Sequence, residues 1–165
     1  MRAILSIIAF ASFALALSSC SLIGTALSLG VAKLQFGCLP QGTLIDTLEG
    51  PVAIETLKSG DMVIGFDGGP VQINQIHQYR EDPASSRYVT IHFKNRSTVS
   101  ASPRHRINGV PAATLRVGDV CGSFTVSRVE SLHGVARSFD LLTEDRGYRI
   151  GGVPVNSMIE EMSGR

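Results

Sequence analysis

At 165 residues, with 44% hydrophobic and 18% charged side chains, the chain has the length of one domain. Fifteen Lys and Arg against fourteen Asp and Glu leave a net charge of +1 with no basic cluster, which excludes the electrostatic footprint of a nucleic-acid binder. No Cys/His spacing matches a structural zinc site, and no motif calls for a metal or a cofactor.

Taken in chain order, the first element is an export signal. Met1-Arg2 is a short positive end, residues 3–17 are a mostly apolar run, and Ser18 and Ser19 are the small residues that precede a cleavage site. The run is shorter than the roughly 20 apolar residues of a spanning helix, so residues 1–19 read as a signal peptide and the remainder is expected to be soluble. Leu17-Ser18-Ser19-Cys20 resembles the bacterial lipoprotein box, a pattern cut by a dedicated peptidase before a lipidated cysteine. That resemblance implies acyl chains on Cys20, a membrane as partner through the anchor, and a place on the periplasmic face of a bacterial envelope. Ser21 is compatible with the outer membrane. The alternative is a plain signal peptide with an incidental cysteine. Residues 20–37, apolar and small without a helical stripe, read as a tether.

From Cys38 the pattern changes to short segments rich in Val, Ile, Thr and Phe, separated by Gly, Pro and Asp: GTLIDTLEG, DMVIGFDGG, PVQINQIHQY, YVTIHFKN, SFTVSRVESL, RSFDLLTED and GYRIGGVPV. Period-two alternation between turn residues predicts strands, and an all-β domain over 38–157 with a tail over 158–165. AIETLKSG and VNSMIEEM are each expected to form one short turn.

The chain also repeats itself. Thr56-Leu57-Lys58-Ser59-Gly60-Asp61 has a partner in Thr114-Leu115-Arg116-Val117-Gly118-Asp119, the pairs Ile76-His77 and Leu132-His133 follow in order, and Arg106 to Pro111 matches Arg149 to Pro154. The spacing drifts across a polar insertion around HQYREDPASSRY. Two similar halves predict a pseudo-twofold domain with a site between the copies.

Cys38 and Cys121 remain, in an oxidising compartment, either as a disulfide or as free thiols. Four elements carry chemistry: Gly37-Cys38 opens the domain, Gly60-Asp61 marks the repeated turn, Ser102-Pro103-Arg104-His105 follows a strand, and Phe139-Asp140-Leu141 opens the strand leading to Val155-Asn156-Ser157. With Cys38-Leu39-Pro40-Gln41-Gly42-Thr43, these residues resemble the Hint family, the self-processing modules of inteins, the hedgehog autoprocessing domain and bacterial intein-like domains. The resemblance spans about Cys38 to Ser157.

It implies that the Cys38 thiol attacks the carbonyl of Gly37, turning that peptide bond into a thioester. The substrate is then the chain's own N-terminal peptide, and covalent attachment supplies a high effective concentration. His105 would protonate the departing amide nitrogen. Ser102, where the family's TxxH motif has threonine, would bond the scissile amide or hold the His105 loop. Asp140 would accept the Cys38 proton or orient the thiol, which matters because a free thiol is only a few per cent ionised at neutral pH. His77, His92 and His133 are expected in structural roles.

At the other end the pattern departs. A splicing intein ends in His-Asn before Cys, Ser or Thr, whereas this chain has Val155-Asn156-Ser157. The expected activity is therefore N-terminal cleavage alone, with water, an external thiol or an amine taking the acyl group of Gly37. The alternatives are an inactive Hint scaffold serving as a binding or structural module, and full splicing that joins Gly37 to Ser157.

Overall fold

The alternating runs fold as strands because their turn residues interrupt them every few positions. In the computed structural model, which describes residues 38–159, they make fourteen strands and two single 3-10 turns. The signal segment, the tether, Cys20, Gly37 and residues 160–165 lie outside the described residues, and with them the expected boundaries near residues 19 and 37.

The strands are β1 (Leu39–Pro40), β2 (Leu44–Thr47), β3 (Gly50–Ala53), β4 (Met62–Ile64), β5 (Pro70–Arg80), β6 (Tyr88–Phe93) and β7 (Thr98–Ala101) in the first half. The second half holds β8 (Arg106–Ile107), β9 (Val110–Pro111), β10 (Val120–Cys121), β11 (Phe124–Leu132), β12 (Arg137–Thr143), β13 (Gly147–Ile150) and β14 (Val153–Asn156). They form sheets in the orders β1-β12-β5-β4, β10-β11-β6-β7 and β13-β14-β8-β9, with β2-β3 as a separate ribbon.

The internal repeat is structural. The 3-10 turns Ile54–Thr56 and Ala112–Thr114 occupy equivalent places, closed by Leu57 N–H on Ile54 and Leu115 N–H on Ala112, both at 3.3 Å. Each Gly-Asp turn follows. The Lys58 and Arg116 amides donate to the carboxylates of Asp61 and Asp119, both at 2.8 Å. Gly60 at φ 97° and Gly118 at φ 95° adopt the left-handed region that side chains avoid, which explains a glycine in both copies. The pairs Arg106–Ile107/Val110–Pro111 and Gly147–Ile150/Val153–Asn156 are matching hairpins, closed by the two-residue loops Asn108-Gly109 and Gly151-Gly152 at positive φ.

The halves exchange strands. β5 of the first half pairs with β12 of the second, and β11 of the second pairs with β6 of the first. Between them lies one hydrophobic core containing Ile45, Ile54, Val63, Ile91, Val99, Ile107, Val126, Leu141, Val153 and Val155, none of which retains solvent contact. At about 1.5–3 kcal/mol for each buried aliphatic side chain, this is the dominant favourable term.

β12 is the strand that positions the site. Flanked by β1 and β5, it is covered on both faces: alternation sends Phe139 and Leu141 into the apolar core and Ser138 and Asp140 to the opposite, equally buried face.

Candidate functional site

Cys38 stands immediately before β1, whose ladder pairs Leu39 with Phe139 and Pro40 with Ser138. Carried back one residue, that register sets Cys38 opposite Asp140. On the other side of β12, Asp140 faces His77 and Ser138 faces Tyr79. Residues directly opposed in an antiparallel sheet share a face, so Cys38, Ser138, Asp140, His77 and Tyr79 line one surface.

Cys38 is 2% exposed. Burial, then the charge of Asp140 and more weakly that of Glu81, push its thiol up to about 12, while a hydrogen bond with the Ser138 hydroxyl pulls the other way. Burial thus favours the protonated thiol, so a reaction at this sulfur would call for a base. Cys121, in β10 opposite Phe124, is also buried and free, so no bridge ties the two cysteines.

Ser102 and Cys38 are locked together by two reciprocal bonds. The Cys38 N–H donates to the Ser102 hydroxyl at 2.9 Å, and the Ser102 N–H donates to the Cys38 carbonyl at 2.8 Å. The first of these donors is the nitrogen of the Gly37-Cys38 peptide bond. His105 lies three residues on in the same turn, fully buried. Its N–H returns to the Ser102 carbonyl at 3.1 Å and its own carbonyl accepts from Ala112 at 2.8 Å, so the second 3-10 turn buttresses the SPRH loop.

Asp140 is fully buried, and burial raises its carboxyl to about 8 although donors surround it. Leu141 N–H at 2.9 Å, the Tyr148 hydroxyl at 3.1 Å and Met158 N–H at 2.8 Å all donate to it, with Ile159 N–H a further donor. Among the described residues it makes no hydrogen bond to the thiol and acts on Cys38 through charge. It bonds instead to Met158, near the C-terminal end of the described residues.

At the C-terminal end, Asn156 uses its side-chain oxygen to accept Gly109 N–H at 2.8 Å. Val155 is wholly buried in the β14 ladder opposite Tyr148 and Ile107. Ser157 N–H donates to the Arg146 carbonyl at 2.9 Å, and the Ser157 hydroxyl is buried without a hydrogen-bond partner among the described residues.

The structure also brings Ser138, Tyr79 and Glu81 to the Cys38 face, residues that sequence reasoning did not single out, together with His77, which it set aside. His77, whose Nδ1 meets the Tyr79 hydroxyl at 3.0 Å, is half-buried on the reactive face. His92 pairs at 2.9 Å with Glu130, away from the site, and His133 lines a groove of about 700 Å³ beside Gln41 and Arg137. That groove is not lined by Cys38, Ser102, His105 or Asp140.

Comparison with known proteins agrees with this fold. A family model described as Hint domain matches residues 37–119. No curated protein matches the chain. Among solved structures, the bacterial intein-like domain from Clostridium thermocellum is 19% identical, with a TM-score of 0.64 over 74% of this chain and 100% of that one. The DnaB intein from Synechocystis sp. PCC 6803 is 13% identical, with a TM-score of 0.63 over 74% of this chain and 99% of that one. The MchDnaB-1 intein is 18% identical, with a TM-score of 0.60 over 72% of this chain and 99% of that one.

Proposed function

The chain belongs to the Hint domain family, an autoprocessing and splicing fold, and from that premise we propose that it cuts its own backbone at Gly37-Cys38. The sulfur of Cys38 adds to the Gly37 carbonyl, the C–N bond breaks, and the acyl group passes from nitrogen to sulfur. Water, a thiol or an amine then takes the acyl group, and the folded part leaves as a fragment beginning at Cys38. On this reading Cys20 carries the lipid, and the reaction frees the domain from an anchored peptide of residues 20–37 at the periplasmic face.

The observation that carries the reading is the 2.9 Å bond from the Cys38 amide nitrogen to Ser102. It fixes the scissile amide against a hydroxyl able to return a proton as the C–N bond lengthens, with buried His105 in the same turn as general acid. Incubating the purified full chain with dithiothreitol or hydroxylamine tests it. The expected product has the mass of residues 38–165 and is lost in Cys38→Ala and His105→Ala, whereas an intact mass throughout rejects the activity.

Splicing is not part of the proposal: the penultimate position holds Val155, and the Asn156 carboxamide that would cyclise is engaged with Gly109. One observation favours the inactive scaffold instead, namely the burial of the Cys38 side chain, which is 2% exposed.

A further inference from the structure

The mechanism so far leaves the Cys38 proton without a destination, and two groups on the reactive face without a use. Ser138, fully buried in β12, lies on the same face as Cys38, one step along the register, and donates its own proton to Glu81 Oε1 at 2.8 Å. With that single hydroxyl proton on Glu81, what Ser138 offers its own face is an acceptor oxygen. Glu81 directly follows β5, held by its N–H on the Ala136 carbonyl at 2.9 Å. It is half-buried, so it faces both Ser138 and water, and the same oxygen receives the Tyr88 hydroxyl at 3.4 Å. Asp140, the carboxyl closest in register, has its oxygens turned to Leu141, Tyr148 and Met158.

We propose that Ser138 and Glu81 form the proton path of Cys38, from thiol to hydroxyl to carboxylate, a role that rests on Cys38 being the nucleophile of the Gly37-Cys38 reaction. As sulfur bonds to the Gly37 carbonyl carbon, its proton moves to Ser138 Oγ while the Ser138 proton moves to Glu81 Oε1. Sulfur ends bonded to carbon, Ser138 ends neutral, and Glu81 ends as a carboxylic acid that returns its proton to water. When the C–N bond breaks, the nitrogen takes a proton from the imidazolium form of His105. A high thiol pKa is then no obstacle, because the S–H bond becomes strongly acidic only as the S–C bond forms, and the base acts at that moment. In this path Ser138 takes the proton of the reacting sulfur and is the catalytic residue, whereas Glu81 acts through it and is a positioning residue.

Glu81→Gln separates this role from that of a bystander charge, because the two move the thiol and the reaction in different directions. Removing a nearby negative charge eases ionisation of Cys38 whatever Glu81 does. A bystander thus predicts a lower thiol pKa and cleavage as fast as wild type or faster. The proton path predicts a lower thiol pKa together with cleavage slowed about 10- to 100-fold.

The experiment titrates the full chain by the NMR shift of its labelled cysteine Cβ, with Cys38 assigned by its loss in Cys38→Ser, and follows dithiothreitol cleavage by mass. Ser138→Ala is expected to slow cleavage to a similar extent. The double variant is expected to be no slower than the slower single one, since the residues act in series. Undiminished cleavage in Glu81→Gln, or fully additive slowing in the double variant, overturns the path while leaving the self-cleavage intact. If Glu81→Gln does not fold, Ser138→Ala decides by the same rule, and undiminished cleavage overturns the path. A wild-type chain that never cleaves overturns the Gly37-Cys38 reaction itself, and the path with it.

Discussion

The reciprocal bonds between Cys38 and Ser102 tie one hydroxyl to stability and, on the proposed function, to the reaction as well. Ser102→Ala leaves the buried Cys38 N–H without its acceptor, which costs about 1–3 kcal/mol in urea melts and slows cleavage; Ser102→Thr, which keeps the hydroxyl at the same distance along the chain, should restore both. Asp140 gives a pH signature. Its carboxyl is raised by burial from 3.8 to about 8, so between those values the folded state binds more protons than the unfolded one. Stability from this group is therefore fully present below pH 4 and is lost as pH rises toward 8, a slope of several kcal/mol in all. Asp140→Asn removes it: the stability difference between variant and wild type, measured by denaturant unfolding, should shift in favour of the variant as pH rises from 4 to 8. A difference that stays flat with pH would show that the carboxyl is ionised in the folded domain. That Cys38, Ser102, His105 and Asp140 lie near one another in the fold was foreshadowed by a motif, which gives their order along the chain and not their distances. Ser138 was not, since a serine in RSFD is an ordinary strand residue until β1 and β5 are known to cover its face.

At the level of elements, the two Gly-Asp turns are built from the same local bonds and should respond alike. Asp61→Ala and Asp119→Ala each remove one carboxylate that closes a turn, and each is expected to cost about 1 kcal/mol, with Gly60→Ala and Gly118→Ala costing about 1–2 kcal/mol because φ is strongly positive at both. Matched penalties in thermal unfolding would confirm that the repeat is energetic as well as geometric; a penalty in only one copy would contradict it. These turns were readable from sequence because glycine and aspartate meet a requirement that lies within a few residues. The reactive face of β5 was readable in part. His77, Tyr79 and Glu81 alternate at two-residue spacing, as do Ser138 and Asp140, which places each set on one side of its strand. What alternation does not supply is the partner strand, so these sets could not be joined into a site, and the polar stretch around HQYREDPASSRY passed for an insertion although its first residues belong to β5.

Across the whole molecule, the decisive feature is the exchange of β6 and β12 between halves, a pairing of strands far apart in sequence that no local pattern announces. It makes folding a single event. Cleaving the chain in the exposed turn near residues 83–85 should give two pieces, neither with the amide dispersion of a folded protein alone, that recover native spectra when mixed. Independent folding of the first piece would mean that β5 does not need β12. The same exchange bears on how such an architecture could arise. A peptide of half the length, bearing one copy of the turn-and-strand unit, could form these pairings only by embracing a second molecule of itself, each lending the other its returning strand. Joining the two copies end to end turns that embrace into an internal one and lets the twins diverge, so that one lends the reactive ledge on β12 and the other the loop that closes over it.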